Sequence, residues 1–143
     1  MLGVAKSILT PVLALICWSL VMWLWLYATR LPAIRAARLD LVAAREPSAL
    51  EALPLKVRQV GYNYNHLMEQ PTLFYALVFY TFLTHRWPND IALGLAWTYV
   101  VLRVAHSLVQ ATSNVIPIRF GLHVAGTAAL IGLAAWNLWA MLG

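Results

Sequence analysis

Residues 7–29, SILTPVLALICWSLVMWLWLYAT, form a stretch without a charged side chain, bounded by Lys6 and Arg30. Roughly 20 apolar residues in a row are enough to cross the hydrocarbon core of a bilayer. A cleaved signal peptide is the competing interpretation, but its apolar region would be shorter and would end in a small-residue cleavage site. The stretch therefore predicts a transmembrane helix that is retained in the protein.

The rest of the chain has the same apolar character. Of its 143 residues, 62% are hydrophobic and 10% are charged, and the mean hydropathy is +0.73. A soluble domain needs more charge than this on its surface. We therefore expect an all-α integral membrane protein, a four-transmembrane-helix bundle that forms a single domain over residues 1–143 and contacts the lipid bilayer.

Three further segments are long and apolar enough to follow the first span, at about 57–84, 91–112 and 118–142. The first half of the second span is polar, and Pro71 is expected to kink it. Residues 30–56 form a basic loop in which Ser48 and Glu51 fit a capping box, which predicts a short amphipathic helix at the membrane surface. The short turn at 85–90 predicts that the second and third spans are antiparallel neighbours.

The positive charge of the chain is concentrated at one place. Six of the ten Lys and Arg residues lie between residues 30 and 58. Loops on the cytoplasmic side carry such an excess, so the basic loop is predicted to be cytoplasmic and both termini to lie outside. The net charge of +5 does not indicate a nucleic-acid partner, because these residues do not form a solvated patch.

Two charges inside the predicted spans carry the functional argument. A charged side chain at the bilayer centre costs about 2.5–3.5 kcal/mol on insertion scales unless it is paired or hydrated. At about 1.5 Å per residue, Glu69 and Arg103 both lie roughly 15 Å below the cytoplasmic end of their spans. We therefore expect the two to form an ion pair, which could also serve only to lock the helices together.

Polar residues surround both charges at helical spacing. On the second span, Tyr62, His66 and Glu69 recur at intervals of four and three residues, with Asn65 adjacent. Residues with such spacing share one face of a helix. The pattern predicts a polar cleft that is open to the cytoplasm and closes at Glu69 and Arg103. The third span contributes Tyr99, Arg103, His106, Gln110 and Asn114 to it, and Arg119 begins the fourth span at the same end.

The two histidines of these spans, His66 and His106, are interpreted as donors or acceptors that bridge helices. A zinc site needs at least three protein ligands, and a third is not evident, so no metal is predicted. The sequence also has no hydrolase triad, no glycine-rich phosphate loop and no pair of cysteines, since Cys17 is alone.

The segment NHLMEQPTLF at residues 65–74, followed by RVAHS at 103–107 and then by Arg119, resembles the MAPEG family. These are the membrane-associated proteins of eicosanoid and glutathione metabolism, including the microsomal glutathione transferases. The resemblance covers nearly the whole chain and is to bacterial-type members, which implies location in a bacterial inner membrane. Its specificity lies in the order and spacing of several motifs.

The resemblance implies a homotrimer of four-helix bundles that binds glutathione as a co-substrate between neighbouring subunits, near the cytoplasmic face. Arg119 matches the catalytic arginine that stabilises the glutathione thiolate. Electrostatics is consistent with this role, because a guanidinium at a helix N-terminus stabilises an anion. The thiolate is the anionic and nucleophilic form of the thiol. Arg103 and His106 match a structural polar pair. The predicted glutathione-binding residues are Glu69, His66, Asn65, Arg30 and Gln110.

Two positions depart from the family pattern. His66 stands where the family has asparagine, and Gln110 stands where transferases often have a tyrosine near the thiol. The leading hypothesis is a glutathione-dependent transferase or peroxidase that acts on a lipophilic small molecule. The departures favour the alternative, a non-catalytic interaction module or accessory subunit of a larger membrane complex. A third possibility is a binder of another polar-headed lipophile, held by Arg119 and Arg30.

Overall fold

The computed structural model describes residues 7–39, 47–84 and 90–142, except for the side chains of residues 47 and 48. In these ranges the chain forms helices and no strand, which confirms the all-α prediction. The helices in chain order are α1 (Thr10–Ala36), α2 (Pro47–Glu51), α3 (Leu55–Glu69), α4 (Pro71–Thr84), α5 (Asp90–Ala111) and α6 (Ile116–Leu142).

Three helices of the described ranges, α1, α5 and α6, are long and apolar enough to cross a membrane. The predicted second span is divided between α3, with 15 residues, and α4, with 14 residues. Pro71 cannot donate a backbone hydrogen bond, so the helical ladder is interrupted there. Gln70 nevertheless keeps helical dihedral angles, φ −60° and ψ −36°. The expected kink is thus a break between two helices, and the exact limits of the membrane spans stay a prediction.

Helix α1 is longer than the predicted first span. It continues beyond Arg30 to Ala36, because charged residues end an apolar segment without ending a helix, and arginine is a good helix former. The predicted short helix of the basic loop is found as α2, whereas the capping box rests on Ser48, whose side chain is outside the described part. The predicted turn also lies outside it at residues 85–89.

Helix α5 is the centre of the bundle, since it packs against α1, α3, α4 and α6, most extensively against α6. Its Tyr99 stacks on Phe74 of α4 with ring centroids 4.6 Å apart. Much of the apolar surface of α1 and α6 is left outside, as at Leu13, which is 61% exposed. Exposed apolar surface on this scale is covered by lipid or by another subunit.

Polar contacts join the helices within this apolar bundle. Thr81 of α4 and Asn137 of α6 are both buried, and the Asn137 Nδ2 lies 2.9 Å from the Thr81 Oγ1. Gln70 donates from its Nε2 to the Thr127 Oγ1 of α6 at 2.8 Å. Hydrogen bonds between helices are a common means of association in membranes.

Helix α3 is held by α1 through a second apolar cluster. Met22 and Leu26 of α1 pack there with Val60 and Leu67 of α3, joined by Ala111 at the end of α5. This packing fixes the rotation of α3 about its axis. It therefore decides which polar residues of α3 face the bundle and which face outward.

Candidate functional site

Helix α3 is polar on two sides. Asn63 is buried and donates to the Ser107 Oγ of α5 at 2.6 Å, and His66 is half-buried on the same inner side. Tyr62, Asn65 and Glu69 are exposed on the outer side. Four residues advance a helix by about 40° beyond a full turn, which places His66 at the edge of the predicted stripe. The structure therefore separates His66 from the three outer residues.

Arg103 is the polar centre of the bundle and is only 3% exposed. Its Nη2 donates to the Nδ1 of His66 at 2.5 Å and also to the backbone carbonyl of His66. Its Nη1 lies 3.4 Å from the Nδ1 of His123 on α6. One guanidinium thus connects α3, α5 and α6.

The predicted ion pair between Glu69 and Arg103 is wrong for the described part of the chain, in which no carboxylate contacts the Arg103 guanidinium. Glu69 lies on the outer face of α3 and acts on Arg103 and His123 only through space. Arg103 packs on the inner side of α3, whereas Glu69 is exposed on its outer side. The His66 imidazole occupies the place beside the guanidinium that the prediction gave to the carboxylate.

Three imidazoles surround Arg103. We call this group the arginine–histidine cluster, and its members are Arg103, His66, His106 and His123. The His66 ring centroid lies 5.0 Å from that of His106 and 5.2 Å from that of His123. His123 was not among the residues predicted from the sequence. Its signal was available, because His123 follows Arg119 by four residues and therefore shares a face of α6 with it.

The cluster has enough imidazoles for a metal site, with one nitrogen from each histidine within 4.8 Å of the others. The lack of a third ligand is thus no longer a reason to exclude a metal. A guanidinium, however, can only donate hydrogen bonds, so the Nδ1 atoms of His66 and His123 accept and their protons lie on Nε2. No lone pair of these two rings is then free, and Arg103 already supplies a buried cation. The residues present do not fit a metal while Arg103 keeps this position.

Arg119 lies half-buried in the first turn of α6. Its Nη1 donates to the side-chain Oδ1 of Asn114 at 2.7 Å. Asn114 follows the end of α5 with a left-handed φ of 50°, a conformation that asparagine tolerates better than most residues. The turn between α5 and α6 therefore positions the Arg119 guanidinium. Arg119 is also close enough to His106 to act on it electrostatically.

The other predicted glutathione-binding residues are divided between two places. Arg30 and Asn65 line one cavity of about 240 Å³ between α1, α2 and α3. Gln110 is buried in the bundle, 5% exposed, and its Oε1 has no hydrogen-bond partner. His106 is buried beside Arg103, where a structural role was predicted. Within the described part of this single chain, the structure does not gather all the predicted residues around one pocket.

A family model described as "MAPEG family" matches residues 8–139. Neither a curated protein nor a solved structure matches the chain. The matched range takes in the helices α1–α5 and nearly all of α6, and hence all the candidate residues described above.

Proposed function

This chain belongs to the MAPEG family, the membrane proteins of eicosanoid and glutathione metabolism, and on that premise we propose that it is a glutathione-dependent transferase or peroxidase. It would act on lipophilic electrophiles that arrive from the bilayer. The proposal takes glutathione as the co-substrate and a homotrimer as the working form.

The position of Arg119 carries the proposal. Asn114 takes one of its five N–H donors, and the part of the chain that the structure describes offers the guanidinium no other hydrogen-bond partner. The remaining donors and the N-terminus of α6 favour an anion at the same place. A thiolate held there would have a lowered pKa, and a larger fraction of it would be nucleophilic at neutral pH.

The chemistry needs little else from the protein. In transfer, the thiolate sulfur forms a bond to an electrophilic carbon, and the leaving group departs with its electron pair and takes up a proton. With a hydroperoxide, the sulfur attacks the terminal oxygen, the O–O bond breaks and an alcohol leaves after protonation. The resulting sulfenic acid reacts with a second glutathione to form the disulfide and water.

The outer face of α3 supports a binding site at the edge of the protomer. Tyr62, Asn65 and Glu69 are exposed there, and an ionisable side chain inside a membrane protein rarely faces lipid. Water or a neighbouring subunit must therefore cover this face. We assign the Glu69 carboxylate to the ammonium group of the tripeptide and Arg30 and Asn65 to its carboxylates. The buried Gln110 Oε1 and the His66 ring are the remaining proposed contacts.

The test is a titration of the purified protein with glutathione, followed by the ultraviolet absorbance of the thiolate. Wild type should develop thiolate near neutral pH, and Arg119→Ala should lose it. Arg35→Ala is the matched control, because Arg35 is an exposed arginine near the end of α1. Absence of glutathione binding in wild type, or thiolate formation that does not depend on Arg119, would overturn the proposal.

One observation favours the alternative of a non-catalytic interaction module or accessory subunit. His66 is engaged by Arg103 and Gln110 is buried, so two of the proposed glutathione contacts also have structural explanations. A protein of this kind would co-purify with a larger membrane complex and would not bind glutathione. Purification from membranes in a mild detergent, with and without added glutathione, distinguishes the two.

A further inference from the structure

The cavity between α1, α2 and α3 has a charged lining residue that is not among the proposed glutathione contacts. Beside Arg30 it is lined by a second arginine, Arg58, which the resemblance does not assign to any role. We call it the Arg30–Arg58 cavity. Its volume is about 240 Å³, and its polar wall lies next to Leu53, a buried leucine between α2 and α3.

Both guanidinium groups bring unused donors to this place. The Nε atoms of Arg30 and Arg58 are buried, and neither has a hydrogen-bond partner in the described ranges. A buried donor without a partner is unfavourable, and more so when the group is charged. The Nη donors of the two guanidinium groups are not buried in this way, they also have no partner in the described ranges, and both arginines line the cavity, where an acceptor from outside the chain can bind them.

The backbone of α3 is shaped to admit Arg30. A Cβ atom placed on Gly61 would lie 2.5 Å from the Arg30 Nη2, which is far inside van der Waals contact. The guanidinium therefore rests directly on α3 at the one residue type that leaves room for it. Any larger residue at position 61 would push Arg30 away from its present position.

The charge balance of the cavity is positive. Glu51 is the acidic residue on its wall, and it is exposed. No ion pair joins Glu51 to Arg30 or Arg58, all three of which lie in the described ranges. The ligand is thus expected to be an anion with several acceptor oxygens, which two arginines bind well.

The location of the cavity indicates the source of that anion. Arg30 directly follows the uncharged segment 7–29, so it lies where the hydrocarbon core of the bilayer gives way to the headgroups. Basic pockets between helices at this level bind the headgroups of anionic lipids. We propose that the Arg30–Arg58 cavity binds the phosphate of an anionic phospholipid.

On the proposed function, lipid and glutathione would meet at one end of this cavity. Arg30 and Asn65 line this cavity and are also the proposed contacts of the glutathione carboxylates. A bound headgroup and glutathione would then compete for this end of the site. Arg58 is outside the proposed glutathione set, so it tests the lipid site separately.

The experiment is native mass spectrometry of the detergent-solubilised protein, without glutathione, titrated with phosphatidylglycerol, phosphatidylcholine or inorganic phosphate. Wild type should retain phosphatidylglycerol in preference to phosphatidylcholine. Arg58→Gln should weaken phosphatidylglycerol binding at least about fivefold, the usual effect of one arginine at a lipid surface. Arg35→Gln removes an arginine near the same helix end that does not line the cavity, and it should bind as wild type does.

Gly61→Ala is the second variant, because it keeps every charge and displaces only the Arg30 guanidinium. It should lose phosphatidylglycerol to a similar extent, with unchanged helical content by circular dichroism. Equal affinity of wild type for the two lipids would overturn the proposal, and this measurement does not depend on any variant. Retention of phosphatidylglycerol by both variants at the wild-type level would do the same. Inorganic phosphate that binds as tightly as the lipid and displaces it would show a site for free anions and overturn the assignment to lipid.

Discussion

The Nη2 of Arg103 donates a hydrogen bond to the Nδ1 of His66 at 2.5 Å, and this contact joins α5 to α3 inside the bundle. The same guanidinium lies 3.4 Å from the Nδ1 of His123 on α6. Arg103 is therefore the cation around which three helices and three imidazoles are arranged. A carboxylate would neutralise it, but the imidazoles leave its charge in place.

The first prediction concerns the Arg103 guanidinium, which is the cation that lies among the three histidines. Arg103→Met should free the three imidazoles and create a site for Zn²⁺ or Ni²⁺, which histidine nitrogens bind well. At a metal concentration about 100 times the Kd, binding stabilises a folded protein by about 2.7 kcal/mol. The measurement is the shift of the thermal unfolding midpoint on adding the metal.

Two comparisons complete that experiment. The double variant Arg103→Met with His123→Ala lacks one imidazole and should show a much smaller shift. Wild type should show little shift, because two of its rings are engaged by the guanidinium. An equal metal-dependent shift in wild type and in Arg103→Met would contradict the interpretation of Arg103 as the resident cation.

The second prediction concerns the residue that positions Arg119. Asn114→Gly keeps a residue that adopts the left-handed conformation but removes the oxygen that accepts from the guanidinium. A hydrogen bond to a charged group is worth about 1.5–3 kcal/mol. If this hydrogen bond orients Arg119 for the thiolate, turnover with glutathione should fall about tenfold or more in Asn114→Gly. The glutathione thiolate should then form only at higher pH.

Ser113→Gly is the matched control for this prediction, since it places a glycine at an exposed residue of the same turn and leaves the Asn114 acceptor in place. It should retain the thiolate formation that Asn114→Gly loses. The readout is the glutathione thiolate absorbance as a function of pH. A wild-type profile in Asn114→Gly would mean that Asn114 only ends the helix.

The third prediction concerns the exposed carboxylate of α3. Glu69→Gln should change the free energy of unfolding by no more than about 0.5 kcal/mol, as is usual for surface substitutions. Its glutathione affinity should fall by about tenfold, because an amide cannot neutralise the ammonium group of the tripeptide. Isothermal titration measures the affinity, and Asp90→Asn, an exposed acid in the first turn of α5, is the control. A large loss of stability in Glu69→Gln would indicate a structural role instead.

The fourth prediction concerns the buried polar contact between α4 and α6. A double-mutant cycle with Thr81→Val and Asn137→Leu should give a coupling energy of about 0.6 kcal/mol, within the range up to about 1.7 measured for hydrogen bonds between membrane helices. The measurement is unfolding in a mixed-detergent titration. Strictly additive effects of the two substitutions would show that this contact does not hold α4 on α6.

The sequence by itself determined the parts of the protein that depend on local composition. The apolar segments, the helical face of α5 that carries Arg103 and His106, and the family resemblance all follow from residue type and spacing. These properties are local because a helix makes its backbone hydrogen bonds within its own segment. Which residues share one of its faces follows from the period of about 3.6 residues per turn. The partner of a side chain on another helix is not local in this sense.

Only the tertiary structure decided that partner. The packing of Met22 and Leu26 against α3 fixes the rotation of that helix, which turns His66 toward Arg103 and leaves Glu69 outside. The same rotation brings Arg58 beside Arg30 in one cavity, and α6 brings His123 to the cluster from a distant part of the chain. Depth in the membrane can be counted along a sequence, but the angle at which one helix faces another depends on how all the helices pack.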